Sequence, residues 1–170
     1  MTKLLTAISS PNLHLPQYNF KTRNSVYKIY TSISINKDLL SKLDSTLLIS
    51  CILSAIESEG DPRNLILVFD LLHFILLNYC QPPQVTEQIE PFLEDIFDKA
   101  SCYFPINFQP PKDDKFKITP ELLKSKLKQC FLATETKLMI DNVFPFVLEK
   151  LGTSEVKVKI ECLELLDEMI

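Results

Sequence analysis

Glycine occurs only twice among the 170 residues of this chain, at Gly60 and Gly152. Average proteins contain roughly 7% glycine. Tight β-turns and loops that bind phosphate groups need glycine, because other residues rarely adopt the backbone conformations that these loops require. The scarcity therefore disfavours all-β folds and nucleotide-binding loops, while the abundance of leucine, isoleucine, lysine and glutamate favours helices.

Composition also limits the classes of function. Hydrophobic residues make up 46% of the chain and charged residues 24%, which is enough to build a core and argues against disorder. The net charge is −4, and the only basic bias, within Lys112–Lys128, is diluted by acidic residues. Direct binding to nucleic acid is therefore not expected. The most apolar segment, Leu65–Leu77, is shorter than the ~20 residues that span a bilayer and contains two polar residues, so no membrane span is expected.

The five cysteines lie far apart in sequence, without the close pairs of structural zinc sites or redox motifs. Their placement in apolar helical segments predicts buried, reduced thiols in an intracellular protein, with no metal or other cofactor. A metal cluster assembled from distant cysteines is the alternative. The residues are Cys51, Cys80, Cys102, Cys130 and Cys162.

Apolar residues at helical spacing, interrupted by proline and glycine, predict a series of helices. Gly60 is expected to end one helix in the left-handed conformation, Asp61 to cap the next, and Pro62 to occupy its first turn. Thr119 and Pro120 predict another start, and Asp38 or Ser41 is expected to cap an earlier helix. One helix is expected to begin near Thr22, the next to end before Gly60, and a third to cover Pro62 to about Tyr79. Another is expected to begin at Thr86 or Glu90, and another at Pro120. The last two are expected to cover Lys137–Leu151 and to follow Gly152.

Two further expectations concern the end of the chain. Pro145 is predicted to kink the helix Lys137–Leu151, because proline cannot donate the backbone hydrogen bond of a helix interior. In the last helix, the apolar residues at helical spacing are Val156, Ile160, Leu163 and Leu166. This apolar stripe continues to Ile170, which predicts a fragment of a longer chain that self-associates through its uncovered end.

Helices of similar length joined by short turns predict an all-α fold, an α–α superhelix of HEAT- or armadillo-like helical hairpins. We expect a right-handed stack of about three to three and a half hairpins. The predicted organisation is an irregular or poorly ordered start at residues 1–20 and a repeat array at residues 21–170. Within the array, the repeats are expected near 21–59, 61–104, 119–151 and, incomplete, 154–170, with an extended connector at 101–118.

The segment Ser101–Asp114, called the strap below, reads SCYFPINFQPPKDD and combines aromatic residues with three prolines. Proline removes a backbone donor and disfavours a helical conformation in the preceding residue, so the strap is expected to be extended. Its aromatic residues need cover. We expect Tyr103, Phe104, Ile106 and Phe108 to seal the edge between two hairpins; the alternative is a surface that binds a partner protein.

Four stretches together resemble one known family. They are DPRNLILVFDLLHFIL (Asp61–Leu76), PFLEDIFDKASCYFPINFQPPKDD (Pro91–Asp114), ITPELL (Ile118–Leu123) and VFPFVLEKL (Val143–Leu151). In this order they resemble an amino-terminal region of the MMS-nineteen family, named for methyl methanesulfonate sensitivity. The likeness covers Asp61–Met169 well and Lys21–Glu59 loosely, and the strap is its most specific part. The stretch Val143–Met169 also resembles a single HEAT repeat.

The resemblance implies a function without chemistry of its own. Members of this family are HEAT-repeat adaptors, not enzymes, of the cytosolic complex that delivers iron–sulfur clusters to apo-proteins, including DNA repair and replication enzymes. It implies protein partners in cytoplasm and nucleus: apo iron–sulfur proteins, and other subunits of the targeting complex that dock mainly on repeats absent from this chain. Residues of the strap, Phe108, Lys112, Asp113 and Asp114, are the candidates for partner binding. No catalytic, cofactor-binding or metal-binding residues are expected.

Other classes of function remain open from the residues alone. A different HEAT- or armadillo-type scaffold, such as a transport or phosphatase-regulatory adaptor, is the main alternative. His73 follows Asp70 at helical spacing and invites comparison with a catalytic pair, but no nucleophile accompanies it. The paired carboxylates, such as Glu94 and Asp95, are expected at the solvated surface. An α-helical hydrolase or metalloenzyme is the weakest of the three hypotheses.

Overall fold

In the computed structural model, the protein consists of helices that pair into hairpins and stack in two layers. The structure describes residues 3, 5, 7, 14–83, 87–111, 113, 115–134 and 136–169, and none of these residues forms a β-strand. The predicted all-α superhelix of helical hairpins is confirmed. The helices are α1 (Phe20–Ser34), α2 (Lys37–Leu40), α3 (Ser45–Ile56), α4 (Pro62–Tyr79), α5 (Phe92–Ser101), α6 (Pro120–Leu132), α7 (Phe144–Leu151) and α8 (Val156–Met169).

Two layers of helices produce the stack. In one layer, α1 packs beside α4, α4 beside α6, and α6 beside α8; in the other layer, α3 packs beside α5, which contacts the turn that precedes α7. Successive members of the two layers form the hairpins. Buried apolar residues from both layers, from Val26 in α1 to Leu165 in α8, form one continuous core. Leu5, near the start of the chain, is also fully buried.

Local chemistry sets most of the helix starts. The side chain of Asp61 accepts a hydrogen bond from the backbone N–H of Arg63 at the start of α4, and Thr119 accepts one from Leu122 at the start of α6. Both predicted caps, and the proline that follows each, are confirmed. The predicted cap at Asp38 or Ser41 is wrong. Asp44 caps α3.

The turn between α3 and α4 also differs from the prediction. Ser58, not Gly60, adopts the left-handed conformation, with φ of 59°. Ser58 lies directly after the last turn of α3, where many helices end with a residue in this conformation, and Gly60 lies two residues further along the chain. The sequence pattern identified the turn but placed the left-handed residue two positions late.

A π-helical turn precedes Pro145 in the structure. Thr136–Leu138 is helical, Met139–Val143 forms a π-helical turn, and α7 follows with Pro145 in its first turn. Within this turn the backbone N–H of Phe144 donates to the carbonyl of Met139, five residues earlier. The wider turn gives room for a residue that has no N–H to donate. The irregularity predicted at Pro145 thus lies directly before it.

The apolar residues that the sequence pattern selects on α8 lie mostly on its exposed side. Val158, Cys162 and Leu165 are buried, whereas Val156, Ile160 and Leu163 are exposed by 68%, 49% and 57%. Leu166 is half-buried against the core. The helix carries apolar residues on two sides, so helical spacing alone selects either of two stripes, and only packing against α6 and α7 decides between them.

Candidate functional site

The strap divides into a buried half and an open half. The hydroxyl of Tyr103 donates a 2.9 Å hydrogen bond to the backbone carbonyl of Glu59, and its ring meets that of Phe69 edge to face, with centroids 5.4 Å apart. The ring of Phe104 contacts those of Phe131 and Phe146, with centroid distances of 6.2 and 5.6 Å. This half therefore joins α4 to α6 and α7, which is the sealing role expected of it.

The second half of the strap forms a cleft with the start of α4. This strap cleft has a volume of about 480 Å³. Proline and aromatic residues form its apolar surface, and charged residues of both signs lie beside them. The lining residues are Asp61, Pro62, Arg63, Phe108, Gln109, Pro111, Asp113, Lys115 and Phe116.

Arg63 makes both ionic and aromatic contacts at the cleft. Its Nε donates a 2.8 Å hydrogen bond to Asp61, and a second nitrogen bonds the other carboxylate oxygen. Its guanidinium carbon lies 3.3 Å from the centroid of the Phe20 ring and 5.2 Å from that of Phe116. Cation–π contact and a two-point ion pair thus fix the guanidinium plane.

The electrostatics of Asp61 follow from this arrangement. The hydrogen bond from Arg63 lowers the pKa of the Asp61 carboxyl, against the opposing effect of its partial burial. The carboxylate is therefore charged at neutral pH and holds Arg63 in place while it caps α4. Phe116, 55% exposed, and the half-buried Phe108 offer aromatic surface beside this charged pair. Aromatic and arginine side chains of this kind dominate the energetics of protein interfaces.

The structure brings together two of the four strap residues predicted to bind a partner. Phe108 and Asp113 both line the strap cleft. Lys112 and Asp114 lie outside the described residues. Sequence reasoning missed Phe116, whereas the helix start Asp61-Pro62-Arg63 was recognised. No local signal places α4 beside residues 108–116, because that contact depends on the path of the strap.

The sequence of this chain is similar to that of a known protein family. The family model described as "Dos2-interacting transcription regulator of RNA-Pol-II", MMS19_N, matches residues 1–170. The chain belongs to the MMS19 family. This result confirms the resemblance that the strap and its neighbouring helices predicted.

Individual MMS19 relatives agree. The "MMS19 nucleotide excision repair protein homolog" of Dictyostelium discoideum is 37% identical over 114 residues, 67% of this chain and 9% of the relative. The MMS19 relative of Saccharomyces cerevisiae, a "DNA repair/transcription protein", is 37% identical over 124 residues, 73% of this chain and 11% of the relative. The human homologue is 29% identical over 154 residues, 90% of this chain and 14% of the relative. The chain spans about a tenth of the length of these relatives.

In the structure, the hydrogen-bond partner of the Asp70 carboxylate is a residue other than His73. The Asp70 carboxylate instead accepts a 2.6 Å hydrogen bond from Lys126 of α6. Burial lowers the pKa of His73, partly opposed by the charge of Asp70. The thiol of Cys130, close by in α6, donates to the carbonyl of Phe69, and burial raises its pKa to about 12. A thiol with this pKa is protonated at neutral pH and is a poor nucleophile.

Metal sites and membrane spans are absent from the part of this MMS19-family chain that the structure describes. Within the described residues, no group of three or more histidine, cysteine, aspartate or glutamate side chains is arranged to hold a metal ion. No described helix combines the length and hydrophobicity that crossing a membrane requires.

Sequence reasoning also missed a buried ionic cluster beside the strap cleft. The carboxylate of Glu59, in the turn before α4, is buried and accepts hydrogen bonds from Arg23 and Tyr27 of α1 and from Asn64 of α4. Burial raises the pKa of Tyr27, and the negative charge of Glu59 raises it further. The cluster fixes the turn from which Asp61 and Arg63 project into the cleft.

Proposed function

We propose that this chain is part of a non-enzymatic adaptor that helps deliver iron–sulfur clusters to apo-proteins, including enzymes of DNA repair and replication. The observation that carries the proposal is the MMS19-family match over residues 1–170. We call the apo-proteins that receive a cluster the clients. The names of the relatives, which describe DNA repair and transcription proteins, support the choice of DNA repair enzymes as clients. In this proposal the cluster is cargo for the client, and the chain itself holds no cofactor and acts in cytoplasm and nucleus.

The strap cleft is the client-binding surface in this proposal. A stack of hairpins stabilised by neighbouring repeats provides a rigid support, and loops on rigid supports commonly carry recognition. The exposed ring of Phe116 and the fixed guanidinium of Arg63 give the cleft the residue types that anchor protein interfaces. Phe108 and Asp113 line the same cleft.

Affinity purification with matched variants tests both parts of the proposal. We expect the tagged chain to recover iron–sulfur helicases and polymerases from cell extract. Phe108→Ala and Asp113→Lys should reduce that recovery, and Asp113→Lys, at an exposed side chain, should do so without lowering the melting temperature. Asp167→Lys makes the same charge change at an exposed position of α8, away from the cleft, and should recover clients like the wild type.

Three results would contradict the proposal in distinct ways. If Phe108→Ala lowered the melting temperature by several degrees and retained the clients, Phe108 would be a sealing residue and the cleft would not be the binding surface. Recovery of transport receptors or phosphatase subunits, without iron–sulfur enzymes, would favour a different scaffold. Stoichiometric metal in the purified chain, or an activity lost in His73→Ala, would indicate an enzyme.

A further inference from the structure

A second and larger groove lies between α6 and α8, away from the strap cleft. Its volume is about 510 Å³, within the range of ~300–1,000 Å³ that is typical of ligand sites. The apolar side chains that line it are the half-buried Phe104 and Leu132 and the buried Ile106, Leu127, Phe131 and Leu165. Phe104 and Ile106 come from the strap, so the strap forms part of the floor of this groove.

The gap between α6 and α8 differs from the neighbouring gap in the same layer. Between α4 and α6, the thiol of Cys130 approaches the backbone carbonyl of Phe69 to 3.3 Å, so these helices are in direct contact. Between α6 and α8, long ion pairs bridge the opening: Lys124 with Glu161, and Lys128 with Glu168 at 2.6 Å. The apolar floor therefore lies beneath charged side chains that cross the groove.

The rim of the groove has an excess of negative charge. The two bridging lysines pair with two glutamates, and Glu121 and Glu164 add two further carboxylates to the lining. A lining of four carboxylates and two ammonium groups attracts a basic ligand and repels an acidic one. Because Lys128 and Glu168 both reach solvent, a ligand can displace their exposed ion pair at little cost.

We propose that the groove between α6 and α8 is a docking site for a polypeptide segment that inserts a large apolar side chain flanked by lysine or arginine residues. The apolar side chain contacts Phe104 and Leu132, the half-buried apolar residues of the lining, and the basic residues pair with Glu164 and Glu121. A groove between neighbouring helices suits a helical or extended segment. This inference goes beyond the proposed function, because it concerns another surface and holds whether or not the partners are iron–sulfur proteins.

Selection from a random library of phage-displayed 12-residue peptides, with the 170-residue chain as bait, tests the proposal. We expect the enriched peptides to share a large apolar residue next to lysine or arginine. Fluorescence anisotropy with one labelled synthetic peptide from the selection then measures its Kd against each variant. Glu164→Lys, a rim substitution, should weaken binding roughly tenfold, and added salt should weaken binding to the wild type.

Two further variants test whether the peptide occupies the groove itself. Ser125→Trp places a large ring at an exposed lining position of α6 and should block the peptide, with circular dichroism and melting temperature confirming the fold. Glu155→Lys makes the same charge change as Glu164→Lys before the start of α8, outside the groove, and should leave Kd within about twofold.

Four outcomes would overturn the proposal. The first is no enrichment of any peptide. The second is enrichment of peptides without basic residues, and the third is equal binding to wild type, Glu164→Lys and Ser125→Trp. The fourth is a dimer in sedimentation velocity that Ser125→Trp converts to a monomer, because the occupant of the groove would then be a second copy of this chain.

Discussion

Arg23 and the buried carboxylate of Glu59 form a two-point ion pair, with Nε and Nη2 of Arg23 each 2.8 Å from a carboxylate oxygen. The side chain of Glu59 has no exposed surface. It also accepts hydrogen bonds from the Tyr27 hydroxyl, the Asn64 amide and the backbone N–H of Asp61. Because both carboxylate oxygens accept hydrogen bonds, the charged group can be buried without a large desolvation cost.

The ion pair links three parts of the structure. Arg23 belongs to α1, Glu59 precedes α4, and the backbone carbonyl of Glu59 accepts the hydrogen bond of Tyr103 in the strap. The first hairpin, the second hairpin and the strap thus meet at one residue. Loss of the Glu59 carboxylate should therefore affect the whole stack.

Glu59→Gln should destabilise the fold by about 3–5 kcal/mol, because it leaves the guanidinium of Arg23 partly buried without its counter-charge. Urea unfolding followed by circular dichroism measures the difference. Glu57→Gln is the matched control: Glu57 is largely exposed and pairs with Lys99 at 3.4 Å. It should change stability by less than about 1 kcal/mol. Equal effects of the two substitutions would show that the ion pair of Glu59 contributes little.

The stability of the fold should fall at acid pH through the same residue. Burial acts to raise the pKa of Glu59, but the hydrogen bonds, with that of Arg23 foremost, outweigh it and hold the pKa below its ordinary value. Between the folded and unfolded pKa values, the unfolded chain binds more protons than the folded chain, so stability increases with pH in this window.

The contribution of Glu59 is therefore complete above the unfolded pKa of about 4.3 and is lost as pH falls through the lowered folded pKa. Unfolding free energies of wild type and Glu59→Gln, measured from neutral to acid pH, should converge in this window. A constant difference between the two proteins down to the acid limit would contradict the assignment.

The sequence predicted those parts of the structure that depend on neighbouring residues. Asp61 and Thr119 were recognised as caps because a cap acts on backbone N–H groups two or three positions away. The ion pair of Arg23 with Glu59 was missed, because it joins residues that are 36 positions apart and no local pattern encodes it. The strap was recognised as a covered connector from its composition. Its division into a sealing half and an open half depends on which helices it crosses.

Phe104→Ala should destabilise the fold by about 2–4 kcal/mol, less than a fully buried phenylalanine because Phe104 is half-buried. The reason is the loss of ring contacts with Phe131 and Phe146, which join α6 to α7. Phe116→Ala, at a 55% exposed ring, should cost less than about 1 kcal/mol. Differential scanning calorimetry compares the two. A larger effect at Phe116 than at Phe104 would contradict the sealing role of the first half of the strap.

Cys102 should react first with thiol reagents, since it is the one exposed cysteine and the other four are buried. Partial burial raises the pKa of Cys102, so its reaction rate should continue to increase with pH above about 8.5. Brief treatment of the native chain with N-ethylmaleimide, followed by peptide mass spectrometry, locates the modified residue. Cys102→Ser should remove the fast reaction, and rapid modification of Cys130 in the wild type would contradict its burial.

The exposed stripe of α8 should cause the purified chain to self-associate. Val156, Ile160 and Leu163 recur at helical spacing on the side of α8 opposite its buried residues, and contiguous exposed apolar surface favours association. Sedimentation velocity should show a larger average species as the concentration rises, and Ile160→Glu should reverse this trend. Leu77→Glu is the matched control, because Leu77 in α4 is exposed by the same 49% as Ile160. A chain that is monomeric at every concentration, or an equal effect of both substitutions, would rule out association through this stripe.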